Sequence, residues 1–244
     1  MRIEIAALST LPEVRPQDDL AGLIRCAAAQ EGQPIGPSVL LAVAQKVVSK
    51  AEGAVVDLRQ VRPSALAQSW AAEWGKDARL IELILAQSRR IVKMDQGVLI
   101  AETRLGFVCA NAGVDQSNTE GEHFATVLPA DPDASARRLR QALGCGAVIV
   151  TDTFGRPWRD GLVDIAIGVA GLEPLEDLRG RMDRRGRKLT GTIIAVADQL
   201  AAAAGLVMGK ADGLAVVLIR GFEWHRAEGS AAALIRPPGQ DLFR

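Results

Sequence analysis

Histidine is nearly absent from this chain: His123 and His225 are the only two in 244 residues. One sits in a polar loop and the other near the C-terminus, so a histidine-based triad is not expected. Cysteine is equally scarce. Cys26, Cys109 and Cys145 are odd in number, far apart and without paired spacing. That suggests neither a disulfide framework nor a zinc site, and it fits a reducing cytoplasm. Net charge is missing too. Lys+Arg and Asp+Glu are equal at 29 each, so no global field draws in nucleic acid or an anionic membrane. The basic stripe from Arg179 to Lys188 is interrupted by Asp183 and two glycines, and reads as a solvated or substrate-facing loop. Neither a nucleic-acid partner nor a membrane is expected.

Long apolar runs are lacking. Leu189 to Met208 carries Asp198 and many alanines, too weak a pattern for a membrane span. Met1-Arg2-Ile3-Glu4 has an acid inside its first apolar run and does not read as a signal peptide. Three familiar motifs are absent: the Gly-x-x-x-x-Gly-Lys-[Ser/Thr] phosphate loop, Gly-x-Gly-x-x-Gly after a strand, and the Gly-x-Ser-x-Gly elbow. A soluble protein using some other chemistry is expected.

What is present is an ordinary globular composition, 48% hydrophobic and 24% charged, long enough for one large domain or two lobes. Ala147-Val148-Ile149-Val150 is too short for a helix and follows Gly144 and Gly146, so it reads as a buried strand. It ends in Asp152 and Thr153, then breaks at Gly155 and Pro157, with Arg156 and Arg159 close by. Polar groups at the exit of a buried strand stand where α/β proteins place their ligands. Hard cations take oxygen ligands, and Arg grips phosphate or carboxylate with a planar fork. The same residues also serve as a turn cap and solvated arginines, and composition does not separate the two readings.

The rest of the chain alternates strands and helices. Residues 2–8 suggest an opening strand, and Asp18-Asp19 a helix start ahead of Leu20, Ile24 and Ala27-Ala28. Val39 to Val43 is a second buried strand, followed by a polar segment in which Lys46 and Lys50 would share one helix face. Ser64 and Asp77 each open a helix, with Trp70 and Trp74 expected in the core. A hairpin turns at Asp95-Gln96-Gly97, and Asp115 follows a short apolar run as Asp152 does, as a cation ligand or as an Asx turn. Asp131-Pro132-Asp133 caps a helix with Ala134, Ala136, Leu139 and Leu143 inward and Arg137, Arg138 and Arg140 outward. Leu162 to Val169 carries Asp164, an alanine-rich helix ends at Gly209, and Leu214 to Ile219 is a last strand.

Asn111-Ala112-Gly113-Val114-Asp115-Gln116-Ser117-Asn118, Asp131-Pro132-Asp133-Ala134-Ser135-Ala136 and Thr151-Asp152-Thr153-Phe154-Gly155-Arg156 stand in one order. With Val48-Ser49-Lys50-Ala51-Glu52-Gly53, Gly168-Val169-Ala170-Gly171 and Val196-Ala197-Asp198-Gln199-Leu200-Ala201-Ala202 they form a set of blocks in register. Together they resemble the γ-glutamyl ligases of the deazaflavin coenzyme F-420, the CofE family, over roughly residues 3–222. The resemblance implies a mixed α/β, α+β-like fold of two interlocked lobes, discontinuous in sequence within residues 1–225, with residues 226–244 as a tail, and a homodimer with its site near the subunit interface. It implies a GTP-dependent ligase that adds L-glutamate to the carboxylate of the precursor F-420-0 through an acyl phosphate. Divalent Mg²⁺ or Mn²⁺, two ions, would assist, with K⁺ as a further ion. A related ligase acting on another carboxylate, and a non-catalytic nucleotide-binding descendant, are the alternatives.

Carried over residue by residue, Asp115 and Asp152 fall on metal-binding aspartates and Thr153 on a hydroxyl ligand. Lys50 falls on a lysine that meets phosphate, completing a catalytic set of Asp115, Asp152 and Lys50. Leu11, Pro12, Glu13 and Val14 match a nucleotide-contacting turn and Asn118 a GTP-contacting asparagine; Met208, Gly209, Lys210, Ala211, Asp212 and Gly213 match a nucleotide loop. Gln45 and Lys46, also assigned to the nucleotide, stand where some relatives carry Ser-Thr. Lys210 stands where some carry a carboxylate reaching a second ion, which a lysine does not bind.

Overall fold

The computed structural model describes residues 1–117, 121–209 and 212–241. The chain runs β1 (Glu4–Ala7), α1 (Leu20–Gln30), β2 (Leu40–Ala44), α2 (Gln45–Ala51), β3 (Val55–Asp57), α3 (Ala65–Trp74) and α4 (Ala78–Gln87). It continues through β4 (Ser88–Asp95), β5 (Val98–Thr103), β6 (Val108–Ala110), β7 (Phe124–Thr126), α5 (Pro132–Leu143), β8 (Ala147–Arg156) and β9 (Arg159–Ala170). β10 (Leu175–Asp177), β11 (Ile193–Ala195), α6 (Val196–Met208) and β12 (Val216–Arg220) complete it. The arrangement is a mixed α/β fold.

A five-stranded sheet in the order β1-β12-β2-β8-β9 carries the main core. Its central strands β2 and β8 are parallel and the other pairings antiparallel. Leu40 to Val43, Ala147 to Val150 and Val216 to Leu218 are fully buried, which is why these runs read as continuously apolar rather than alternating. α1, α5 and α6 bury their apolar faces in the same cluster. A second apolar cluster unites α3, α4, β4 and β5 around Leu58, Trp70, Ile81, Ile84 and Ala101. The chain enters this second cluster after α2 and leaves it before α5.

Local chemistry explains most boundaries. Asp19, Ser64, Asp77 and Asp131 cap their helices by accepting from backbone N–H groups of the first turn. Gly75 and Gly144 close α3 and α5 in the left-handed conformation that glycine adopts without steric penalty.

Three features differ from the sequence reading. β8 does not end at Asp152: once β2 stops opposite Thr151, antiparallel pairing to β9 carries β8 on to Arg156. The backbone keeps its hydrogen-bond partners on that side, so the polar residues lie within a hairpin arm. In α5, Ser135 rather than Ala134 is buried. Arg140 turns inward, donating to the Gly146 carbonyl at 3.0 Å and to Glu228 at 2.7 Å. Residues 226–241, part of the segment read as a tail, pack on the core through Ala231, Leu234 and Ile235, with Ala231 only 1% exposed. Asp133 latches them down, accepting from Ser230 Oγ at 2.5 Å and Ala231 N at 3.0 Å while also holding Val169 N at 2.7 Å.

Candidate active site

β2 and β8 lie side by side in parallel, and β2 finishes with Ala44 opposite Thr151, where their pairing ends. The carboxyl ends of adjacent parallel strands leave a crevice in α/β sheets. Here it opens into a cavity of about 360 Å³, floored by Ala44 and Thr151. Leu11, Pro12, Glu13, Val14, Gln45, Lys46, Lys50, Asp115, Asp152, Thr153, Met208, Gly209, Asp212 and Gly213 all line it. Asn118, Lys210 and Ala211 lie outside the described residues. Residues from five separate stretches of sequence therefore meet in one place.

α2 starts directly from β2, so its first turn faces the crevice and Lys46 and Lys50 project from one face. Each lysine has its own carboxylate. Lys46 Nζ lies 3.1 Å from Asp115 Oδ2 and donates to Ser117 Oγ at 2.6 Å. Lys50, 8% exposed, donates to Glu13. Gln45 is buried and accepts from the Ser49 hydroxyl at 2.8 Å, which fixes the start of the helix. The turn bearing Glu13 is anchored by Glu31, whose Oε1 receives Ser9 N and Thr10 N, both at 2.7 Å.

Asp115 is placed by a constrained turn. Asn111, Ala112 and Gly113 all take positive φ, at 54°, 51° and 73°. Gly113 has no room for a side chain, since a Cβ would meet Leu128 Cγ at 2.6 Å. Left-handed geometry at Asn and Ala is stored strain, of the kind that concentrates at functional sites. Asp115 then bridges to Thr126 through paired backbone hydrogen bonds of 3.0 and 2.7 Å. Its carboxylate accepts from Ser117 N at 2.8 Å and Ser117 Oγ at 2.6 Å, so the Asx turn and the place in the cavity coexist. Burial pushes the Asp115 carboxyl up, but the Ser117 hydroxyl and N–H and the Lys46 ammonium outweigh it and hold it below the ordinary range.

On the opposite wall, Asp152 Oδ1 accepts from Thr153 N at 2.8 Å. Thr153 faces Asp164 across the β8–β9 pair and donates its hydroxyl to that carboxylate. A register shift between Val150 and Thr151 precedes this segment, and Asp198 braces it by accepting Ala166 N at 2.9 Å. Burial pushes the Asp198 carboxyl up, against the Ala166 N–H. Cys109, buried on β6, has its thiol pushed up to about 12 by burial and then by the Asp152 charge, so it is an inert neighbour rather than a nucleophile.

Asp164, Ser117 and Ser9 were not assigned to the site from the sequence. Asp164 and Thr153 sit 11 positions apart on two strands, and only the hairpin register makes them partners. Ser117 was readable in principle, two residues after an aspartate in a turn.

Asp115, Asp152, Asp164 and Thr153 are hard oxygen donors on one cavity, the ligand type divalent Mg²⁺ or Mn²⁺ takes. Among the described residues, no three carboxylate, histidine or cysteine groups stand close enough to form an ion cage unaided. That is compatible with Mg²⁺, which is held by one or two carboxylates together with water and substrate phosphates.

A sequence model described as F420-0:Gamma-glutamyl ligase matches residues 9–221, which carry every residue lining this cavity. The chain belongs to that family. Within the F420-0:Gamma-glutamyl ligase family, it is 45% identical over 252 residues to the Coenzyme F420:L-glutamate ligase of Methanothermobacter thermautotrophicus, covering 100% of both chains. It is 48% identical over 255 residues to the protein of the same name from Methanopyrus kandleri, covering 100% of this chain and 98% of that one. The Archaeoglobus fulgidus protein of that name is 38% identical over 250 residues, covering 100% and 97%.

A second cavity, about 560 Å³, lies between β10, β11 and residues 222–225. Two ion pairs stand on its wall, Arg179 with Asp177 at 2.6 Å and Arg181 with Glu176 at 3.3 Å. Among the described residues, no helix is long and apolar enough to cross a membrane.

Proposed function

We propose that this protein is a GTP- and divalent-metal-dependent ligase that adds L-glutamate, and then γ-linked glutamates, to the carboxylate of the deazaflavin precursor in coenzyme F420 biosynthesis. Family membership and relatives named Coenzyme F420:L-glutamate ligase support glutamate ligation. One observation supports the rest: two aspartates, a threonine hydroxyl and two lysines converge on the cavity where the β2–β8 pairing ends.

In this reading the acceptor carboxylate attacks the γ-phosphorus of GTP, the bond to the β-phosphate oxygen breaks, and GDP leaves an acyl phosphate behind. The glutamate amine attacks the acyl carbon, the carbon–oxygen bond to phosphate breaks, and the amine proton passes to solvent. A bound Mg²⁺ or Mn²⁺ would neutralise phosphoryl charge. Asp115, Asp152 and Thr153 would supply its protein ligands, while Lys50 and Lys46 pair with phosphate oxygens as point charges. Leu11 to Val14 and Met208 to Gly213 would enclose the nucleotide. None of this requires a histidine. The protein is read as a homodimer, which light scattering tests by molar mass.

The assay incubates protein, glutamate-free precursor, L-glutamate, GTP and Mg²⁺ or Mn²⁺, with products resolved by mass spectrometry. Stepwise glutamate additions that require both GTP and metal are expected. Glutamate addition that proceeds without nucleotide, or equally with ATP alone, would contradict the GTP-dependent reading.

A further inference from the structure

Asp164 has no role in the carried-over set of site residues, yet its surroundings are built for one. It stands directly opposite Thr153 in the β8–β9 register and accepts the Thr153 hydroxyl hydrogen. It lines the same cavity as Asp115 and Asp152. α6 passes behind it at Gly205, where a Cβ would come within 2.5 Å of Asp164 Oδ2. Glycine is a poorer helix former than alanine, and at this position it leaves room for the carboxylate.

A hydroxyl owns one hydrogen and two lone pairs. With the hydrogen committed to Asp164, the Thr153 oxygen offers any further partner only lone pairs. It is then an acceptor, fit for a cation and unfit to donate to a phosphate oxygen. We propose that Asp164 is a positioning residue: by holding the Thr153 proton it fixes Thr153 Oγ as a ligand for the divalent cation. This rests on the metal-dependent reading above. Partners of this kind behind a metal ligand typically change metal affinity 10–100-fold when removed.

The test is Mn²⁺ binding to the protein, alone and with GTP present, followed by electron paramagnetic resonance, with thermal melts as the control for folding. Asp164→Ala and Thr153→Val should each weaken binding about tenfold, and the double variant no further, because both remove the same contact. Asp164→Asn keeps an acceptor oxygen and should stay within about threefold of wild type. Gly205→Ala leaves the charge in place but displaces the carboxylate, so it should weaken binding as Asp164→Ala does. Wild-type affinity in Asp164→Ala, additive losses in the double variant, or an Asp164→Asn as weak as Asp164→Ala would each overturn the inference while leaving metal dependence standing. Wild-type protein that binds no Mn²⁺ with or without GTP would overturn both.

Discussion

Lys46 and Asp115 form an ion pair of 3.1 Å between the first turn of α2 and the loop after β6, and Ser117 binds both partners. The pair joins an element of the main core to one that borders the second cluster. Against burial, which pushes the Asp115 carboxyl up, the Ser117 hydroxyl and N–H and then the Lys46 charge hold it below the ordinary range. A carboxylate with a lowered folded-state pKa stabilises the fold above its unfolded pKa, and the effect fades as pH falls toward the folded value. The stability advantage of wild type over Asp115→Asn should therefore be full above about pH 5 and shrink below about pH 4. Guanidinium titrations of both proteins across that range check it. An advantage that grows on acidification would contradict the assignment of the charged form.

Asp152→Asn should leave the fold unchanged and lower turnover by orders of magnitude, because one ligand charge on the cation is lost. Circular dichroism melts and ligation assays at rising Mn²⁺ separate the two effects. Near-normal ligation by this variant at low metal would contradict the role given to Asp152.

Lys50 is buried and donates to Glu13, which lines the same cavity. Lys50→Met should weaken GTP binding at least tenfold, measured by calorimetry, through loss of a charge-assisted hydrogen bond to phosphate. Glu13→Gln should have the smaller effect on affinity, since it leaves the lysine in place. A Lys50→Met protein that binds GTP normally would remove Lys50 from the site.

Gly168 packs where β9 meets the start of α5, and an added Cβ would sit 2.4 Å from the Pro132 carbonyl oxygen. Both partners are backbone, so relief requires moving an element. Gly168→Ala should cost about 1–3 kcal/mol and lower the melting temperature by several degrees, while Mn²⁺ affinity per folded molecule is kept because every oxygen donor of the cavity is left in place. Thermal melts and Mn²⁺ titration read the two quantities separately.

Much of this architecture was readable from sequence where local chemistry dominates. Asp19, Ser64, Asp77 and Asp131 announced their helices, and the fully apolar runs announced β2, β8 and β12. The carried-over residues fall on one cavity as far as they are described. What sequence did not reveal depends on partners remote in the chain. β3–β7 and β10–β11 are three-residue pairings with no periodic pattern to read. The extension of β8 past Asp152 depends on β9 offering hydrogen bonds, and the Thr153–Asp164 contact depends on the hairpin's register. The separate carboxylates of Lys46 and Lys50 come from two other loops, Asp115 and Glu13, which no local spacing connects to α2.

The most direct test of the proposed chemistry follows an oxygen atom. Precursor carrying heavy oxygen in its acceptor carboxylate would be ligated to L-glutamate with GTP and Mg²⁺, and the released phosphate weighed by mass spectrometry. Transfer through an acyl phosphate places one heavy oxygen in each phosphate released. Glutamyl product accompanied by unlabelled phosphate would contradict it.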